Sequence, residues 1–151
     1  IAILKISRFY QTPCFPKGAG PDYVNAAVMV NSQVDAPSLL EILHLIEEGK
    51  DRTRPERWGK RTLDLDLLFF GADILPNLQL YDKWRHLPKD LQRRVAPDQM
   101  IVPHPRLQDR SFVLGPLMDI APDWCHPVLN QSVTQMFFDL DQGLREELLP
   151  L

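Results

Sequence analysis

Two strand-like stretches, Ile3 to Tyr10 and Tyr23 to Val30, are joined so closely that they decide the fold class. The first is rich in isoleucine and aromatic residues and partly alternating, the pattern of a strand. Between the two, Gln11 to Asp22 carries Pro13, Pro16, Gly18, Gly20 and Pro21. That density of breakers makes a loop of about a dozen residues, a length usually kept for function. A crossover helix does not fit in it, so the two strands are not joined as parallel neighbours. The expected class is α+β: an antiparallel or mixed sheet with helices packed on it.

The rest of the chain supplies the helices. Asp35 can cap a helix in which Leu39, Ile42, Leu43 and Ile46 recur at helical spacing, ending near Gly49. A charged loop spans Lys50 to Lys60. Leu63 to Phe70 reads as the most apolar strand, and Gly71 turns the chain towards Ile74. Residues 76 to 100, proline-punctuated and carrying Trp84, Arg85, Lys89, Arg93 and Arg94, read as an insertion with a short helix. Phe112 to Ile120 reads as a short helix stopped by Pro122. Ser132 to Leu149 reads as a C-terminal helix with Val133, Met136, Phe137 and Leu140 among its apolar positions. A chain of 151 residues can bury one real core, so a single domain over 1–151 is expected. It begins at Ile1, already within a strand pattern, and an N-terminal strand and helix are expected to be missing.

Charge narrows the partners. The formal net charge of -3 gives no global reason to bind nucleic acid. No apolar run approaches the ~20 residues of a membrane span. Cys14 and Cys125 are no disulfide framework and suit a reducing cytosol. A cytoplasmic monomer acting on small molecules is expected.

Four features can carry chemistry. Asp64-Leu65-Asp66 places two carboxylates on one face of a strand, with Leu65 and Leu67 on the other. Such a pair can hold one or two hard divalent cations, with substrate phosphates completing the shell. A solvated strand face has the same pattern, but these acids sit inside the very apolar run LDLDLLFF, where unpaired charge is costly. Just before it, Lys50, Arg52, Arg54, Arg57, Lys60 and Arg61 put six positive charges into twelve residues, against Asp51 and Glu56. Alone this is a solvated charge run; beside carboxylates it is also what a metal–nucleotide site needs. Trp58 and Gly59 add a stacking surface and a hinge. Pro103-His104-Pro105 holds a histidine rigidly, and Arg110 follows; both side chains can donate to phosphate oxygens. Thr12, Pro13, Phe15, Tyr23 and Asn25 flank the first loop, where an amide and aromatic rings match the edge and faces of a heterocycle. There is no P-loop, no G-x-G-x-x-G, no zinc spacing and no nucleophile elbow.

These residues resemble a known family. Glu56 to Asp66, ERWGKRTLDLD, is similar to the signature of the 6-hydroxymethyl-7,8-dihydropterin pyrophosphokinases. Phe9 to Pro13 with Pro21 to Ala27 resembles the family's pterin segment. Val102-Pro103-His104 with Arg110 and Phe112 resembles its nucleotide segment, and Pro116-Leu117 with Ile120-Ala121-Pro122 its tail. The resemblance implies a ferredoxin-like fold, ATP as co-substrate, two Mg²⁺ ions, and attack of the pterin hydroxyl on the β-phosphorus with AMP leaving. It implies that Asp64 and Asp66 bind both metals, and that Arg52 and Arg61 act with them in catalysis. Thr12, Pro13, Phe15, Tyr23, Asn25 and Phe112 would hold the pterin. Glu47, Trp58, His104 and Arg110 would serve the nucleotide. Three departures accompany it: the opening Gly-Ser-Asn strand and its helix are absent, residues 76 to 100 lengthen the link before His104, and Gln108 and Pro105 stand where a basic and often an aromatic residue are usual. A metal-dependent phosphohydrolase and a non-catalytic binding module are the rival readings.

Overall fold

The two strand-like stretches do pair antiparallel, but each is broken once. In a computed structural model that describes residues 1–14, 18, 20–51, 63–92 and 94–151, the first becomes β1 (Ala2–Ile6) and β2 (Tyr10–Thr12), the second β3 (Tyr23–Asn25) and β4 (Val28–Asn31). β1 pairs with β4, and β2 with β3. The break has a chemical cause. At the crossing point Ser7 N–H donates to Ala27 O at 2.9 Å, while the Ser7 hydroxyl accepts from Ala27 N–H at 2.8 Å. A side-chain oxygen therefore stands in for a ladder carbonyl.

The chain forms two compact units. The first joins Ile1–Asn31 to Pro105–Leu151. Its helix α4 (Ser111–Ile120) buries Val113, Leu114, Leu117 and Ile120 and packs on β2, β3 and α5 (Val133–Asp139). α4 closes where its sequence predicts, with Ala121 N–H returning to Leu117 O at 2.7 Å just before Pro122. Ser132 and Gln135 form a reciprocal capping box that starts α5.

The single helix expected over 132–149 is not formed. Leu140 (ψ 150°) and Asp141 (ψ 141°) are extended, so α5 ends and a separate α6 (Gln142–Glu146) follows. The end of the chain is drawn into a strand instead: β5 (Leu149–Pro150) pairs with β2, and Leu151 N–H donates to Phe9 O at 2.9 Å. β2 thus becomes the middle strand of the order β3-β2-β5, and its Tyr10 and Thr12 are buried. By contrast β1 leaves Ile3, Leu4 and Ile6 exposed.

The second unit, Ser32–His104, begins with α1 (Ala36–Asp51), two residues longer than its sequence predicts. Asp35 caps it as expected, accepting from Ser38 N–H at 2.9 Å. Hydrogen bonds from the Ser38 side chain and then its backbone hold the Asp35 carboxyl below its ordinary range. The buried stripe of α1 departs from the apolar one: Ile46 is 46% exposed and Glu47 only 8%.

Leu63 to Phe70 is not a strand among the described residues. Among the described residues its backbone bonds include Leu65 N–H to the Glu47 carboxylate, His104 N–H to Leu68 O and Asp73 N–H to Phe70 O. Gly71 makes the predicted turn with φ +57°. The expected insertion carries two helices, α2 (Leu78–Arg85), capped by Asn77, and α3 (Lys89–Gln92). It is closed at its base by reciprocal bonds between Leu75 and Val102 at 2.8 and 3.0 Å, and Tyr81 anchors it, fully buried. Among the described residues no helix is long and apolar enough to cross a membrane.

The observed class is α+β with antiparallel sheets and packed helices.

Candidate active site

In the first unit, β2 and β3 bring together four of the residues expected to hold a heterocycle. Thr12 lies opposite Tyr23 in the ladder. Asn25 reaches diagonally to Thr12, donating from Nδ2 to Oγ1 at 2.9 Å. That bond uses one amide N–H. Among the described residues the second N–H and the carbonyl of Asn25 are left for a ligand edge, and the Thr12 hydroxyl keeps its own proton to donate. Pro13 follows Thr12 half-buried, and the Tyr23 hydroxyl lies 3.8 Å from Cys14 Sγ. Phe112, in the first turn of α4, is 37% exposed, and Arg110 places its guanidinium 5.5 Å from the Phe112 ring. Phe15 lies outside the described residues.

A tether missed in the sequence fixes α4 against β2. The Asp119 carboxylate, in the last turn of α4, accepts from Tyr10 OH at 2.8 Å. It also accepts from Arg8 N–H at 3.1 Å, Nε at 3.2 Å and Nη2 at 2.9 Å. For Asp119, burial pushes the carboxyl up, but the bonds from Arg8 and Tyr10 outweigh it and leave the group below its ordinary value. The tether joins the strand bearing Thr12 to the helix bearing Phe112. Its sequence signal is slight: Arg8 and Tyr10 stand beside Lys5 and Ser7 in a strand-like stretch, with nothing local to mark Asp119 as their partner.

In the second unit, the alternation expected at the acidic pair is present. Asp64 and Asp66 are exposed, while Leu63, Leu65 and Leu67 are half-buried. Glu47 Oε1 accepts from Leu65 N–H at 2.6 Å, between the two acids. His104 is tied to the same segment through its N–H on Leu68 O at 2.7 Å, behind a fully buried Pro103. Glu47, Asp64, Asp66 and His104 therefore belong to one unit. Arg52, Trp58 and Arg61, with the rest of 52–62, lie outside the described residues.

The donor set can be weighed against a metal. Among the described residues no three His, Cys, Asp or Glu side chains gather around a metal position. Two carboxylates are hard oxygen ligands that fit Mg²⁺ when water and phosphate oxygens complete its shell, and they are too few for an all-protein cage.

Comparison with known proteins places the chain in a family. The family model for 7,8-dihydro-6-hydroxymethylpterin-pyrophosphokinase matches residues 1–122. A 2-amino-4-hydroxy-6-hydroxymethyldihydropteridine pyrophosphokinase of Synechocystis is 34% identical over 141 residues, covering 93% of this chain and 62% of that protein. The protein of the same name from Haemophilus influenzae is 31% identical, with 89% of this chain and 71% of the relative covered. The folic acid synthesis protein fol1 of Pneumocystis carinii is 33% identical across 91% of this chain, which spans 16% of that longer polypeptide. The chain thus spans less than two thirds of the Synechocystis relative. With most of its length matched, the chain belongs to the 7,8-dihydro-6-hydroxymethylpterin-pyrophosphokinase family.

Proposed function

We propose that this chain transfers the pyrophosphoryl group of ATP to the hydroxymethyl group of 6-hydroxymethyl-7,8-dihydropterin, in folate biosynthesis. The observation that carries the reading is the pair Asp64 and Asp66, exposed on alternate positions of an otherwise half-buried apolar run. The family match supports it. In the step, the pterin hydroxyl oxygen bonds to the β-phosphorus, the bond from that phosphorus to the α–β bridging oxygen breaks, AMP leaves, and the hydroxyl proton passes to solvent. Little covalent work falls to the protein; positioning and charge neutralisation dominate such transfers.

Thr12 and Asn25 present donors and an acceptor to the pterin edge, and Pro13, Phe15, Tyr23 and Phe112 present apolar and aromatic faces. His104 and Arg110 donate to nucleotide phosphate oxygens, with Trp58 on the nucleotide side. Arg52 and Arg61 offer cationic donors to the charge that develops on the leaving phosphate. Asp64 and Asp66 would hold two Mg²⁺ ions, which when bound neutralise and align the triphosphate. In this reading the fold completes a ferredoxin-like sheet and the enzyme works as a cytoplasmic monomer.

The test is AMP formation from ATP and Mg²⁺, with and without the hydroxymethyl-dihydropterin. Pterin-dependent AMP with pterin diphosphate as co-product is the expected result. Phosphate release without pterin would point to a hydrolase, and pterin binding without AMP to a binding module.

A further inference from the structure

We infer that Glu47 is a positioning residue for the Asp64–Asp66 pair, acting through the backbone of the residue between them. The inference deepens the proposed reaction and rests on its metal-holding pair. It starts from an inversion on α1. Ala36, Leu39, Leu43 and Glu47 fall in one helical stripe at spacings of three and four. Ala36, Leu39 and Glu47 are buried, while Leu45 and Ile46 are exposed. A helix that only needed a core face would not bury the carboxylate and expose the isoleucine, because a buried charge is costly unless it is bonded.

The bond it makes is specific. Glu47 Oε1 accepts from Leu65 N–H at 2.6 Å, in the short range of charge-assisted bonds. Leu65 has no strand ladder to fix it among the described residues. Glu47 on Leu65 N–H and His104 N–H on Leu68 O hold the segment on either side of Asp66. Fixing the Leu65 N–H fixes the plane of the Asp64–Leu65 peptide. The side chains at 64 and 66, two positions apart, are both exposed, with Leu65 half-buried between them. A cation that needs both carboxylates finds them already aligned and loses less conformational freedom when it binds. Partners that orient a ligand in this way weigh nearly as much as the ligand itself.

The experiment uses the full chain with Glu47→Ala and Glu47→Gln. Amide exchange and the proton shift of Leu65 are read by NMR without substrates. Mn²⁺ binding is read by EPR, alone and with α,β-methylene-ATP, and nucleotide affinity is measured without metal. In the wild type the Leu65 amide is expected to be protected and shifted downfield. Glu47→Ala should remove both signatures and weaken Mn²⁺ binding by about 10- to 100-fold, with metal-free nucleotide affinity unchanged. Glu47→Gln keeps a carbonyl acceptor and should hold Mn²⁺ within about threefold of the wild type. An unprotected Leu65 amide in the wild type would overturn the inference. So would Glu47→Ala with unchanged Mn²⁺ affinity, or a glutamine variant no better than alanine that loses metal-free nucleotide affinity, the mark of a direct nucleotide ligand. If the alanine variant does not fold, the wild-type amide and the glutamine variant decide. Absence of pterin-dependent AMP alongside the expected amide and Mn²⁺ results would remove the proposed reaction and leave Glu47 in its role.

Discussion

Removing the Tyr10 hydroxyl isolates the tether between β2 and α4 with the smallest change available. Tyr10 is 5% exposed and its hydroxyl donates to Asp119 at 2.8 Å. Arg8 also binds Asp119, but its side chain is 66% exposed, so water and salt screen that ion pair and it is left out of the magnitude. A hydrogen bond to a charged acceptor contributes about 1.5–3 kcal/mol. In Tyr10→Phe the carboxylate keeps its Arg8 donors and no charge is stranded, so the cost falls at the low end, about 1.5 kcal/mol. For a chain of this size that lowers Tm by about 3–6 °C. Urea unfolding should show a lower midpoint at unchanged slope, since the surface exposed on unfolding hardly changes. A variant within about 0.5 kcal/mol of the wild type would refute the reasoning and reduce Tyr10 to packing.

The same contact sets a pH dependence with two limbs. Asp119 lies below its ordinary value in the folded chain. Its stabilisation is therefore fully present above the unfolded value of about 3.9 and is lost as pH falls through the folded one. Tyr10 is pushed up, first by burial and then by its bond to Asp119. Above about pH 10 the unfolded chain ionises this phenol before the folded chain does, so stability falls as pH rises. The stability gap between wild type and Tyr10→Phe should be widest near neutrality and close at both ends. A gap constant from about pH 3 to pH 11 would show that the hydroxyl–carboxylate bond is not its source.

Other perturbations test the site directly. Asp66→Ala should lower pterin-dependent AMP formation by about a thousandfold or more, with an unchanged circular dichroism spectrum; near-normal turnover would end the two-carboxylate assignment. Asn25→Ala removes the amide groups that the proposed reaction assigns to the heterocycle edge and should raise KM for the pterin by about 10- to 100-fold, with kcat changed far less; an unchanged KM would move pterin recognition elsewhere. Replacing 76–100 by a short turn across the Leu75/Val102 bridge should leave transfer intact, because reciprocal backbone bonds close the base of the insertion. Loss of transfer in a folded deletion variant would show that the insertion serves the chemistry.

The antiparallel pairing is legible in the sequence because loop length alone decides it, and so are the Asp35 cap and the Gly71 turn, which follow from local backbone chemistry. What the sequence hides is non-local. Nothing in Ser7 announces that its hydroxyl will replace a ladder carbonyl opposite Ala27. The helical period runs on through Leu140, Leu144 and Leu148, yet the helix breaks at Leu140–Asp141, resumes as α6 and gives way to the pairing of Leu149–Pro150 with β2. At 63–70 the sequence shows the alternation at the acids but not the lack of a strand, because alternation belongs to the segment and a ladder belongs to its neighbours.

The sharpest failure of hydrophobic pattern reading is on α1, and it falls beside the acidic pair. Apolar residues alone select Ile46 for the core. The chain buries Glu47 one position later and leaves Ile46 46% exposed. Complete burial of an isoleucine is worth about 1.5–3 kcal/mol, and part of that is forgone. A carboxylate inside the same stripe adds a desolvation cost, which its bond to Leu65 N–H offsets. A packing-only account therefore has the sign wrong at both positions. An account in which the helix must deliver an acceptor to the backbone between Asp64 and Asp66 explains both, since the residue that reaches Leu65 has to occupy the inward position and the isoleucine has to yield it. A charged residue at a core position of an amphipathic helix is thus a functional signal carried by the amino-acid sequence itself, provided the period is followed through the polar residues as well as the apolar ones.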